Sequence, residues 1–269
     1  MAGLNWLRIG VLAATWLGMV ISVAPALSGQ VEARLVFGYV EETRSAQTQY
    51  GESLRAEAMR SIAQQYGVTL ADRTAQWTLA EVLSVRRSLT RLENQVAQLA
   101  DRDAGRAFRV LFESAAFYRD RAYQGNFAYA IGGTISFYDA WAQLDDDGRA
   151  FYLAHELGHL WDARTSALHL TLGEMSGVFA ANVGAFVDEH GRYQLGANFP
   201  GWATGRTLRH RDDSAAEDWA ESLATVLVPE FETSERHIGR VRYTEVQRLM
   251  REWAYAAKAQ AGRPARGME

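Results

Sequence analysis

The chain has 269 residues, 48% of them hydrophobic, a formal net charge of -4 and no cysteine. That composition is globular and excludes disorder as the default state. The balanced charge, with no cluster of Lys and Arg, excludes the electrostatic footprint of a nucleic-acid binder; the lack of cysteine excludes disulfides, thiolate metal sites and a thiol nucleophile, so any metal must sit on His, Asp or Glu.

The first residues read as a targeting segment. Arg8 supplies a small positive region, residues 9–24 are mostly apolar, and Ala26 and Ser28 provide small residues for cleavage. The pattern predicts a signal peptide over 1–28. The alternative is an uncleaved membrane anchor, since no charge occurs between Arg8 and Glu32. In both cases the remainder is expected outside the cytoplasm, and a membrane partner only if the segment stays attached.

Residues 29–76 are expected to form a mostly helical N-terminal segment. Within it, 34–49 carries no clear period; Leu35, Val36, Phe37, Tyr39 and Val40 are compatible with a short strand, and the stretch stays unassigned. Tyr50, Leu54, Met59, Ile62 and Tyr66 recur at helical spacing, and Gly67 stands where such a helix would stop.

The main domain is expected over 77–262, with a disordered tail over 263–269. Leu79, Val82, Leu83, Leu89, Leu92, Val96 and Leu99 predict an amphipathic helix, and Phe108, Leu111, Phe112 and Ala115 a further one. The period then changes to alternation through Phe127, Tyr129, Ile131, Ile135 and Phe137. This predicts a half-buried strand, bulged or bent at Gly132-Gly133. Asp145, Asp146 and Asp147 offer helix-start chemistry for a half-buried amphipathic helix over 149–163. Phe186-Val187 and residues 193–195 predict a hairpin turning at His190-Gly191. A buried helix follows over 215–227, stopped by Pro229, and an amphipathic one over 244–259. The fold class expected is α+β, mostly helical with a small sheet.

Residues 155–159 read His-Glu-Leu-Gly-His. On a helix, positions i and i+4 share a face, so His155 and His159 can converge on one ion with Glu156 beside them. A Zn2+ with three protein ligands keeps a fourth position for water, lowers its pKa to about 7 and polarises a carbonyl. Glu156 would take the water proton as general base.

A third ligand must come from elsewhere: Asp162, His169, Glu174, His190, His210, Glu217 and Glu221 are available. Asp162 lies more than a turn past the point where the imidazoles meet. The continuation that places a third His after a glycine is missing. Glu217 and Glu221 occupy i and i+4 of a largely apolar helix, so one can bind the ion while the other receives the free N–H of a ligating imidazole.

His155-Glu156-Leu157-Gly158-His159-Leu160-Trp161-Asp162, followed by Glu217-Asp218-Trp219-Ala220-Glu221, resembles the HExxHxxD and ExxAE pattern of gluzincin peptidases related to anthrax lethal factor. The resemblance covers roughly 77–230. It implies a zincin-like domain with Glu217 as third ligand, Glu221 behind an imidazole, and residues 129–137 as an edge on which an extended peptide aligns. It also implies a Tyr before the third ligand as an oxyanion donor. This chain departs there: His210 stands seven positions before Glu217 and the nearest upstream tyrosine is Tyr193. Either could donate to a developing oxyanion; His210 is the favoured donor, and its bland alternative is a surface histidine. His169, His190 and His237 are expected to be structural or exposed.

The expected function is exported, zinc-dependent hydrolysis of a peptide or protein substrate. The alternatives are a catalytically silent zinc-containing binding domain and a zinc amidase acting on cell-envelope amides. Phe199, Gly201, Trp202 and Gly205 suggest a lid-like segment before the second site helix.

Overall fold

The computed structural model describes residues 29–100, 108, 111–122, 126–167, 175–196, 214–231 and 238–261. The expected signal peptide, the lid-like segment and the tail lie outside these residues. Among the described residues no helix is long and apolar enough to cross a membrane. The chain divides into two units, 1–52 and 53–269.

Helix α1 is Gly29–Tyr66. Residues 34–49, unassigned from the sequence and compatible with a short strand only over 35–40, are therefore helical. The Val- and Tyr-containing run is short, and the surrounding Ala, Glu, Arg and Gln residues have good helix propensity. The helix stops at Tyr66, before Gly67, as the sequence predicts.

In the second unit, strand β1 (Thr69–Asp72) leads to α2 (Leu79–Leu99), whose start is held by a reciprocal cap. The Thr78 hydroxyl accepts from Glu81 N–H, and the Glu81 carboxylate accepts from Thr78 N–H. Strands β2 (Ala116–Arg119), β3 (Ala128–Ile131) and β4 (Thr134–Phe137) complete a mixed sheet in the order β1-β2-β4-β3. β1, β2 and β4 are parallel, and β3 runs antiparallel to β4 at one edge. The alternating run is thus two strands of a hairpin rather than one bent strand. Gly132 and Gly133 take φ of 57° and 84°, the left-handed pair that a two-residue hairpin turn requires.

Short α3 (Asp139–Ala142) precedes α4 (Asp146–Ala167), the helix that carries the His-Glu-Leu-Gly-His run. Then come α5 (Met175–Val183), the hairpin β5 (Phe186–Val187) and β6 (Tyr193–Gln194), α6 (Ala215–Leu227), a 3₁₀ turn (Pro229–Phe231) and α7 (Gly239–Ala261). The architecture is mixed and mostly helical, with a small sheet.

The core joins sheet to helices through aromatic contacts. Trp77, Phe137 and Trp141 meet at 4.7–6.0 Å between α2, β4 and α3, while Trp161 touches Trp219 of α6 and Trp253 of α7. Ile62, Tyr66, Val68 and Leu70 share this core. α4 is more enclosed than a half-buried helix: from Phe151 to Trp161 only Tyr152 and His159 keep appreciable exposure. The enclosure comes from packing against β3, α2, α5 and α6, and it buries His155 and Glu156 together with the apolar residues.

Candidate metal centre

α4 and α6 pack directly against one another, and a glycine sets their separation. A Cβ built on Gly158 would lie 2.8 Å from the Cα of Ala220. The Trp219 indole N–H closes the contact by donating to the carbonyl of Gly158 at 3.1 Å. This approach brings the first turn of α6 beside the imidazoles of α4.

There the donor atoms converge. His155 Nε2 lies 3.2 Å from Glu217 Oε2 and 3.3 Å from His159 Nε2, and His159 Nε2 lies 3.4 Å from Glu217 Oε1. A tetrahedral zinc with bonds of 2.0–2.1 Å holds its ligand atoms about 3.3 Å apart. Glu217 turns a different oxygen to each imidazole; one donor atom from each residue lies within 4.8 Å of the others, and the two-imidazole, one-carboxylate set is a group able to hold a metal. The other ring nitrogen of His155, Nδ1, faces Glu221 Oε2 at 3.4 Å, which selects Nε2 as the inward-facing donor.

Burial by itself would lower the pKa of His155, but hydrogen bonds to Glu217 and Glu221, with the charge of Glu156, raise it to about 10. Burial pushes the Glu156 carboxyl up to about 7. The charge of His155 opposes that rise, Glu217 adds to it, and the backbone N–H of Ala130 tempers it. Ala130 lies on edge strand β3. Tyr138 N–H donates to Phe127 at 3.0 Å, so the bonded pairs of the β3–β4 ladder fall on 127, 129 and 131, and the polar groups of Ala128 and Ala130 point outward. The strand is docked on α4 by Phe127, which stacks on Tyr152 at 4.2 Å.

Other sequence candidates fall elsewhere. Asp162 accepts from Ser176 N–H at 2.8 Å and Ser176 Oγ at 2.7 Å, so it ties α5 to α4. His190 stands exposed at the β5–β6 turn, 3.5 Å from Glu189. The Tyr193 hydroxyl donates to Asp218 at 2.9 Å. His169, Glu174, His210 and His237 lie outside the described residues. Sequence reasoning missed the Ala130 N–H, which only strand register reveals. It also missed Asp218, although a third acidic residue inside an apolar helix calls for a buried partner.

Compared with known proteins, the chain matches no family model, no curated protein and no solved structure.

Proposed function

We propose that the chain is an exported zinc-dependent metallopeptidase with a zincin-like domain. The observation that carries this is the convergence of His155, His159 and Glu217 at ligand spacing, with Glu156 buried alongside. His155, His159 and Glu217 would hold the ion. Zinc bound there supplies Lewis acidity, polarising a substrate carbonyl and lowering the pKa of water to about 7.

The remaining work belongs to the chain. Glu156, buried beside His155, is placed to accept a proton from the attacking water and deliver it to the leaving amine. Glu221 fixes the tautomer of His155. The outward N–H and C=O groups of Ala128 and the C=O of Ala130, whose N–H is taken by Glu156, offer an extended peptide an edge to pair with. Export rests on the targeting pattern of residues 1–28.

The test compares the parent with Glu156→Gln on an unfolded polypeptide, with zinc content measured on both samples. Equal zinc and a cleavage rate lower by about 10²–10⁴-fold in the variant is the expected result. Zinc without cleavage by the parent would favour a binding domain, and hydrolysis confined to envelope amides an amidase.

A further inference from the structure

Asp218 follows the ligand Glu217 in α6, yet its carboxylate turns away from the metal centre and is buried with a cation. Arg242 of α7 donates from Nε to Oδ1 at 2.9 Å and from Nη2 to Oδ2 at 2.8 Å. The same Nη2 reaches the Leu195 carbonyl at 2.7 Å, and the Tyr193 hydroxyl of β6 adds its bond to Oδ2. Side-chain exposures are 0% for Arg242 and 1% for Asp218. Desolvating such a pair is costly, and apolar replacements are often as stable, so stability alone does not account for it.

We propose that Asp218, Arg242 and Tyr193 are positioning residues for the metal centre, clamping the rotation of α6 so that Glu217 meets His155 and His159. The proposal rests on the zinc assignment above. Glu217 sits in the first turn of its helix, where the Ser214 hydroxyl caps its N–H at 3.2 Å. Two contacts on different sides of α6 define its angle about its axis. Ala220 abuts Gly158, and Asp218, about 100° round the helix from Glu217, is gripped from β6 and α7. Turning α6 by about 20° would move a carboxylate about 6 Å from its axis by about 2 Å. A metal site tolerates displacements of about 0.2 Å. Tyr193, a candidate oxyanion donor by sequence, acts here through Asp218.

Zinc affinity of the full chain, measured by competition with a chromophoric chelator, tests this beside thermal melting. The set is the parent, Tyr193→Phe, Asp218→Asn and, as a control remote from the metal centre, Thr78→Ala. Tyr193→Phe is expected to weaken zinc binding about 10-fold and Asp218→Asn about 100-fold. Thr78→Ala lowers the melting temperature with unchanged zinc affinity. Should Asp218→Asn fail to fold, Tyr193→Phe decides, since it removes one hydroxyl and leaves the ion pair intact. Parent-like zinc affinity in Tyr193→Phe, with a melting loss like that of Thr78→Ala, would overturn the proposal alone. A parent that takes up no zinc would overturn the metal assignment together with it.

Discussion

Gly158 and Ala220 touch through the backbone: the Cα of Ala220 stands 2.8 Å from the place a Cβ on residue 158 would occupy. Both are buried; Gly158 precedes the proposed ligand His159, and Ala220 lies one turn after the proposed ligand Glu217. The contact makes the distance between the two site helices a property of one missing methyl group.

Gly158→Ala should therefore destabilise the protein, although alanine is the better helix former. Overpacking costs about 1–3 kcal/mol and should reach the upper end here, because a helix backbone cannot swing aside. Helix propensity returns about 1 kcal/mol, leaving a net loss of about 2 kcal/mol. Urea denaturation measures the loss, and zinc titration should show a weakened site as the helices part. Parent-like values in both measurements would contradict the close approach.

Glu221→Gln removes the charge facing His155 Nδ1 while keeping size and hydrogen-bonding capacity. Zinc affinity should fall about 10–100-fold, the usual effect of losing a partner of a ligating imidazole. Glu217→Ala should lose more, because a ligand disappears. Competition titrations of the two variants side by side give the order, and equal losses would mean that Glu221 belongs to the ligand set.

Stripping the zinc should expose a characteristic pH dependence of stability. The His155 pKa is raised from 6.5 to about 10, so its contribution is complete below about pH 6.5 and is lost as pH rises through about 10. Glu156, raised from 4.5 to about 7, binds a proton longer in the folded protein than in the unfolded chain. It likewise makes the fold less stable as pH rises from about 4.5 to 7. Melting temperature in chelator should thus decline from pH 5 towards pH 10. Zinc uptake at neutral pH should release a proton, measurable by calorimetry in buffers of different ionisation enthalpy. A flat melting profile and no proton release would show that His155 is not held between the two carboxylates.

Helix α6 shows how much local pattern conveys. Apolar residues at helical spacing with Pro229 after them predict 215–227, and the helix is Ala215–Leu227. α2 was legible for the same reason, from its apolar stripe between Leu79 and Leu99. Strands β1 and β2 were not. Each is four residues long, and their pairing joins Thr69 to Ala116 and Asp72 to Arg119 across the whole of α2. No local period encodes such a partner, whereas the β3–β4 hairpin is local and its signal, Gly132-Gly133 between alternating runs, reads from sequence as a bend in one strand.

Sequence by itself determined the pair of imidazoles, since a five-residue run on a helix carries its own geometry: i and i+4 must share a face. It also narrowed the third donor to a short set that included Glu217 and Glu221. Spacing left their roles open and the resemblance assigned them; only the tertiary structure decided the geometry, with Glu217 beside both Nε2 atoms and Glu221 behind Nδ1. It decided too that Asp162 caps α5, that Tyr193 serves Asp218, and that Ala130 presents its N–H to Glu156. The physical reason is one of range. Helical periodicity acts over a few residues, whereas the position of Glu217 depends on a glycine, a buried ion pair and three packed elements that are far apart along the chain.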